Sequence, residues 1–433
     1  MSQATGTQFA LATTREKPTR QRHLLSLILV ITVFVAFIDR LNISVLMADK
    51  TFLADMKLAG DTVSQGLLMT VFIIVYAIGN VFLGPLGDFM GPRKAMVLSL
   101  LGWEVSLVVG GLAPFFAFLI LSRVLLGATE AMQWPMQSTF VKNWFPLKER
   151  GKANAIWGSG TSIAPAICMP LVTAVVYYSG WRASFFVLAA IGVVPLLLLW
   201  FLTTDTPRES KRINHLELHC IESGLSAEME AEAQMNQNTY RENVKAILTN
   251  YRFWLLTGFY AVHSSVYFGV LSWLPAYLKA TRGVSWTVMG MWASAPFWLI
   301  FFCKLFCGYC CDKTGRRAPF MLITMLGGGL GIYFSIATHD NLTAMVILTL
   351  GLGLIGFGTP ASYTLLQDVV PRRAISTGAG LMNGLANVIA GLSPVTVGYV
   401  IRVTGSYHSG LMYLGSITII GGVIALILIK VAR

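Results

Sequence analysis

Apolar runs of about 20 residues recur along this chain, and that is the length an α-helix needs to cross a bilayer core about 30 Å thick. Gly, Pro and charge clusters punctuate the runs. They predict spans near residues 24–47, 63–83, 95–113, 116–140, 153–177 and 183–203, then near 252–274, 287–309, 318–337, 342–366, 376–400 and 409–430. Only 12% of the 433 residues are charged and 55% are hydrophobic, against about 25% charged in a soluble domain. Mean hydropathy is +0.66. The expected fold is an all-α membrane protein of 12 transmembrane helices, with no length left for a large soluble domain.

A polar segment divides the spans into two sets of six. The expected organisation is a cytoplasmic N-terminal tail, 1–23, a six-helix bundle, 24–203, a cytoplasmic linker, 204–251, and a second six-helix bundle, 252–433. The linker carries Asp205 to Arg212 and then Glu222, Glu228, Glu230 and Glu232, while Leu216, Leu218 and Ile221 suggest a short amphipathic helix. Arg15, Lys17, Arg20 and Arg22 precede the first run as they would in a signal peptide. That run is long, contains Asp39 and Arg40 and lacks a small-residue cleavage site, so it is retained as a span. With both termini cytoplasmic, Lys and Arg concentrate in cytoplasmic segments. Only Lys50, Lys57, Arg182, Lys279, Arg282 and Arg402 fall outside, and Arg40, Arg123 and Lys304 fall within spans. The net charge of +12 then follows from multi-pass topology in the cell inner (plasma) membrane. Nucleic acid is not an expected partner.

An internal repeat fixes the plan more firmly. Gly84, Asp88, Gly91 and Arg93 after the second span recur at identical spacing as Gly308, Asp312, Gly315 and Arg317 after the eighth. Small residues permit a tight reversal, and the Asp and Arg can pair with each other or with helix ends, so the two loops read as a matched cytoplasmic gating motif. Two six-helix halves related by duplication are a known transporter plan, with the cargo site near the midplane between them.

This motif pair resembles the cytoplasmic-loop signature of the major facilitator superfamily, and Arg123-x-x-x-Gly127-x-x-x-Ala131 resembles a second motif of that superfamily. Phe37-Ile-Asp39-Arg40-Leu-Asn42, Thr129-Glu130-Ala131 with Pro135, and Trp144-Phe145-Pro146-x-x-Glu149-Arg150 are similar to its anion:cation symporter family. Gly180-Trp181-Arg182 and Trp273-Leu274-Pro275-x-Tyr277-Leu278 fit that family too. The resemblance runs from about residue 24 to 430. It implies the major facilitator fold and proton-coupled uptake of an organic anion, such as a sugar acid or other carboxylate, by alternating access. It also implies cavity-lining roles for Tyr76, Thr161, Tyr363 and Gln367 and a substrate contact at Asn383. Phe37, Gln133-Trp134 and Thr161 depart from the sugar-acid pattern.

The membrane charges carry the chemistry. Asp39, Arg40, Arg123 and Glu130 each cost about 2.5–3.5 kcal/mol at a helix centre, so each marks a functional site. At about 1.5 Å per residue, Asp39 lies ~22 Å along the first helix from Leu24, and Arg123 and Glu130 lie ~10 and ~21 Å down the fourth from Phe116. Asp39 and Arg123 thus reach similar depths and can pair. Arg123 and Glu130 share a helix face. Asp39 and Glu130, as carboxylates in a low dielectric, are the expected proton sites, Arg123 the switch partner of Asp39, and Arg40 the anion-binding residue. A structural salt-bridge set is the plainer alternative. The repeat places His263 where Asp39 stands, with Tyr267 one turn later, and Asn383 and Asn387 share a face of the eleventh span. These are candidate substrate contacts, with a packed histidine as the alternative for His263.

Lys304, about one turn from the end of its span, is expected to snorkel. Glu104 has no evident partner and is a possible further proton site. Cys303, Cys307, Cys310 and Cys311 read as buried soft residues, and His215, Glu217, His219 and Cys220 as one side of a linker helix, so no metal or other cofactor is expected. With no nucleophile motif or phosphate-binding loop, the chain is expected to be no enzyme and to draw on an ion gradient. A monomer handling protons and a small organic anion is the leading expectation. An organophosphate/phosphate-type antiporter and a non-transporting sensor with a transporter fold are the alternatives.

Overall fold

The computed structural model describes residues 17–83, 89–234, 240–370 and 375–431. Among them, 12 helices are long and apolar enough to cross a membrane: α1 (Gln21–Leu46), α2 (Thr62–Asn80), α3 (Pro92–Gly111), α4 (Phe116–Trp144), α5 (Lys152–Ser179), α6 (Trp181–Leu202), α7 (Tyr251–Ala280), α8 (Trp286–Cys311), α9 (Ala318–Ala337), α10 (Asn341–Val369), α11 (Thr377–Thr404) and α12 (Tyr407–Val431). Every expected span is present, several longer than read from the sequence. The end of α8 shows one reason: its helix runs on to Thr314 and stops only at Gly315, whose φ of +64° is the left-handed cap that a side chain disfavours.

Packing repeats between the halves. In the first, α1 packs on α5 and α6, α3 on α4 and α6, and α2 on α4; in the second, α7 packs on α11 and α12, α9 on α10 and α12, and α8 on α10. Small residues set the close crossings. A Cβ on Gly127 would lie 2.7 Å from the Phe72 carbonyl oxygen, and one on Gly79 would lie 2.6 Å from the Ala131 side chain. The Arg123-x-x-x-Gly127-x-x-x-Ala131 pattern is therefore the α2–α4 contact, where only small side chains let the backbones approach. The fourth helix of each half also breaks at the same repeat position: α4 turns at Ala131 after Glu130, and α10 passes through a 3-10 turn at Leu354–Phe357.

The loop motif secures helix ends. Gly91 has φ +83° and its position faces the Asp205 carboxylate, whose Oδ1 accepts the Arg93 backbone N–H at 2.7 Å; the Arg93 guanidinium donates to the Trp200 carbonyl. Arg317 forms an ion pair with Asp368 at the end of α10, Nε to Oδ2 3.2 Å. Each arginine thus ties the third helix of its half to the end of another helix of that half. Gly84 and Asp88 lie outside the described residues. The linker supplies a further clamp: Glu217, in the helix His215–Gln234, accepts the backbone N–H groups of Gln21 and Arg22 at 3.1 and 3.2 Å and the Thr19 hydroxyl at 2.6 Å. Its carboxylate thereby caps the otherwise orphaned N-terminus of α1.

At the opposite end, the short helix Lys50–Asp55 is held to the start of α6. Asp55 accepts the Trp181 indole N–H at 2.9 Å and pairs with Arg182 at 2.8 Å, and these donors hold its carboxyl below the usual range. This gives Gly180-Trp181-Arg182 a structural task.

The halves meet through α1–α7, α2–α11 and α5–α8. At the end carrying the α1–α2 loop the two backbones approach closely and threonine hydroxyls bridge them. The Thr62 hydroxyl donates to the Gly398 carbonyl at 2.6 Å, and the Val395 N–H donates to the Thr70 hydroxyl at 3.2 Å. A Cβ on Gly398 would lie 2.2 Å from the Thr62 carbonyl oxygen, and one on Gly66 would lie 2.4 Å from that of Pro394. Gly398→Val should therefore cost this arrangement about 1–3 kcal/mol. Thermal unfolding in detergent should show a lower midpoint than Ser416→Val, a change on the exposed face of α12. Equal midpoints would contradict the contact.

Candidate functional site

Asp39 and Arg40 are neighbours on α1 and so point about 100° apart. That angle separates two polar clusters. Asp39, at 0% exposure, faces the interior of the first half with Arg123 of α4. Cys168 of α5 feels its charge, and Asp39 itself feels Arg123, Arg40, Glu130 and Glu104. The expected Asp39–Arg123 ion pair is not formed in this conformation. Neither Asp39 oxygen has a hydrogen-bond partner in the protein, the Arg123 guanidinium lies over the Phe185 ring at 5.5 Å, and its nearest hydrogen bond is to the Ser122 hydroxyl at 3.4 Å.

The pair that does form is Arg40 with Glu130. The Arg40 Nε donates to Glu130 Oε2 at 2.7 Å, with the residues 6% and 0% exposed. Phe37 and Tyr76 hold the guanidinium plane, with ring centroids at 4.4 and 4.6 Å, and Phe72 lies at 5.4 Å. Arg40 was expected to bind the anion and Arg123 to pair with Asp39. The paired arginine in this structure is Arg40, because the 100° step sends it to the α2–α4 side and leaves Asp39 inside. One Arg40 nitrogen and Glu130 Oε1 remain buried without a protein partner, so the pair retains hydrogen-bonding capacity for a third group.

Across the interface, Tyr267 of α7 lies within the field of Arg40. Tyr363 of α10 stacks edge-on to Tyr260 at 5.6 Å and feels Tyr76. Tyr76, Tyr267 and Tyr363 are thus brought to the Arg40–Glu130 side. Asn383 and Asn387 are half-buried on one face of α11, and Gln367 is exposed one turn beyond Tyr363. The Thr161 hydroxyl donates to the Gly158 carbonyl of its own helix at 2.8 Å. His263 is placed as the packed alternative has it: its Nε2 meets the Thr359 hydroxyl at 3.2 Å, its ring stacks parallel to Phe259, and Gly358 leaves room for it against α10. Like Asp39, its counterpart in the repeat, it lies on the buried side of the first helix of its half.

Several groups were missed or misplaced by sequence reasoning. Gln133 and Gln137, 1% and 0% exposed, continue the Glu130 face of α4, and none of their four amide N and O atoms has a protein partner. Their spacing from Glu130, three and seven residues, was the available signal. Lys304 does not snorkel: α8 continues to Thr314, which sets it ~15 Å from the helix end, and its Nζ donates to the Ser162 hydroxyl of α5 at 2.7 Å. Glu104 does have a partner, accepting the Trp103 indole N–H at 2.7 Å with its carboxylate against Gly192.

Breaking a buried pair by removing one member leaves an uncompensated charge, at a cost of about 3–5 kcal/mol, whereas replacing both is often neutral. Arg40→Met and Glu130→Met should each lower the thermal midpoint clearly, and the double variant should recover most of the loss. Additive losses would mean that the two side chains act independently.

A model of the Major Facilitator Superfamily matches residues 29–295 and 278–433. Over 426 residues the chain is 27% identical to a probable galactarate/D-glucarate transporter of Bacillus subtilis, covering 94% of this chain and 92% of the relative. It is 29% identical over 416 residues to a probable sulfoacetate transporter of Cupriavidus necator, covering 94% of each. To a D-galactonate transporter of Escherichia coli it is 26% identical, covering 95% and 96%. Among solved structures, a bacterial homologue of the human lysosomal transporter Spinster, inward-facing and unoccupied, superimposes with a TM-score of 0.77 at 18% identity, covering 94% of this chain and 97% of that one. A D-xylose–proton symporter gives 0.70 at 14% identity, covering 94% and 97%. At these identities the two structures speak for the fold alone.

Proposed function

We propose, on the premise that this chain belongs to the major facilitator superfamily, that it is a secondary transporter taking up a small organic anion together with protons by alternating access. The observation that carries the reading is the buried Arg40–Glu130 pair at 2.7 Å. A guanidinium offers a planar fork suited to a carboxylate or sulfonate, and here Glu130 already occupies part of it. Cargo and Glu130 therefore compete for one cation. When Glu130 takes a proton its claim on Arg40 weakens, and an anionic cargo can replace it; when the cargo leaves, Glu130 releases the proton and returns to Arg40. One cation shared between two acids links proton binding to anion binding without a second ion.

The relatives' names support the cargo class. Galactarate, D-glucarate, D-galactonate and sulfoacetate are small organic anions, and the matches span nearly the whole chain. In this reading Tyr76, Tyr267, Tyr363, Asn383 and Asn387 offer hydroxyls and amides to the cargo. Asp39 is a second proton site, biased by Arg123 inside the first half, and the glycine–arginine loops gate the inner end. Lys and Arg distribution supports an inner-membrane protein with both termini in the cytoplasm, and the reading takes it as a monomer. The α2–α11 contact then closes the outer end.

Purified protein in liposomes should accumulate one of these acids when the pH gradient is imposed inward. Phosphate-dependent exchange in place of accumulation would instead indicate an antiporter, and binding without flux a sensor. Glu130→Gln should abolish gradient-driven accumulation while exchange of labelled for unlabelled acid persists. Full accumulation by Glu130→Gln would remove Glu130 from the coupling step.

A further inference from the structure

The membrane-embedded cations of this chain are not equally satisfied. Arg40 is committed to Glu130, and Arg123 lies in the field of Asp39 and Glu130. Lys304 has neither arrangement. Its Nζ donates to a neutral hydroxyl, Ser162 of α5, and among the described residues it forms no ion pair. Ser162 belongs to the first half and is buried, so the ammonium lies at the interface between the halves. A cation without a counter-charge is unfavourable in a low dielectric and favours any anionic group that reaches it.

Both cations lie toward the same stretch of α7: Tyr267 is within the field of Arg40, and His263, one turn away, within that of Lys304. The first half thus presents a guanidinium and the second an ammonium near the interface between the halves.

We propose that Lys304 binds the second anionic group of a dianionic cargo, which makes the transporter selective for short organic diacids over monoacids. This rests on the organic-anion reading of the Arg40–Glu130 site and adds a second pole to it. A diacid held by Arg40 of one half and Lys304 of the other would bridge the halves. A monoacid would leave Lys304 with Ser162.

The test is exchange of D-galactarate, a diacid, and D-galactonate, a monoacid, in liposomes containing the full chain. In wild-type protein galactarate should have the lower KM. Lys304→Gln should raise the galactarate KM about tenfold or more, the loss expected for one charge-assisted contact, and leave the galactonate KM nearly unchanged. Lys304→Arg should preserve the preference. As a check independent of flux, galactarate should raise the thermal midpoint of wild-type protein more than galactonate does, and Lys304→Gln should erase the difference. Equal changes for both acids, or none, would overturn the proposal. So would galactonate exchange that rises with chloride in wild type and not in Lys304→Gln, since Lys304 would then hold an inorganic anion. A wild-type protein that moves galactonate and not galactarate overturns the diacid assignment alone; one that moves neither of these acids nor D-glucarate nor sulfoacetate overturns the organic-anion reading with it.

Discussion

Burying charge in a membrane is costly, and the architecture of the first half is organised around that cost. Arg40 and Glu130 come from helices far apart in sequence and meet at 2.7 Å with almost no exposure. A pair of this kind contributes little net stability, because desolvation offsets much of the attraction. In the proposed cycle a proton breaks it. Phe37 and Tyr76 stack on the guanidinium and give Arg40 a hold that does not depend on Glu130. A side chain held by aromatic faces can change partner without changing position.

The scaffold that brings these helices together depends on small residues. Gly127 and Ala131 let α4 approach α2, while Gly66 and Gly398 let α2 meet α11 across the two halves. The second group brings the two halves together at one end through close backbone approach. The α4 break after Glu130 and the 3-10 turn in α10 lie at equivalent repeat positions. The duplicated fold therefore keeps an irregular point beside the site in both halves, although only the first half places a carboxylate there.

Much of the fold was legible because hydrophobic length and a repeated loop are local signals. All twelve spans follow from runs of apolar residues, and Gly91 and Gly315 sit at the positive-φ positions that their motif implied. The site was legible as a set of residues and less so as a set of contacts. Depth arithmetic correctly suggested that Asp39, Arg123 and Glu130 lie deep in the bundle, yet it could not say which acid met which arginine. Lys304 was misread because the end of α8 was placed too early. Glu217 was read as one side of an amphipathic helix, whereas it caps α1 from the linker. Gln133 was noted only as a departure from a pattern and Gln137 not at all, although both continue the buried face of Glu130.

The sequence alone determined that this protein crosses a membrane through twelve helices in two related halves and carries ionisable groups within the first. Those properties depend on hydrophobicity summed along a segment and on spacing within it. The tertiary structure decided the partners: Arg40 with Glu130, Asp39 enclosed beside Arg123 without pairing, His263 turned into the second half, and Lys304 reaching across to Ser162. The reason is geometric. Adjacent residues on a helix point about 100° apart, so which neighbour each charge meets depends on how every helix is rotated about its axis, and packing of the whole bundle sets that rotation.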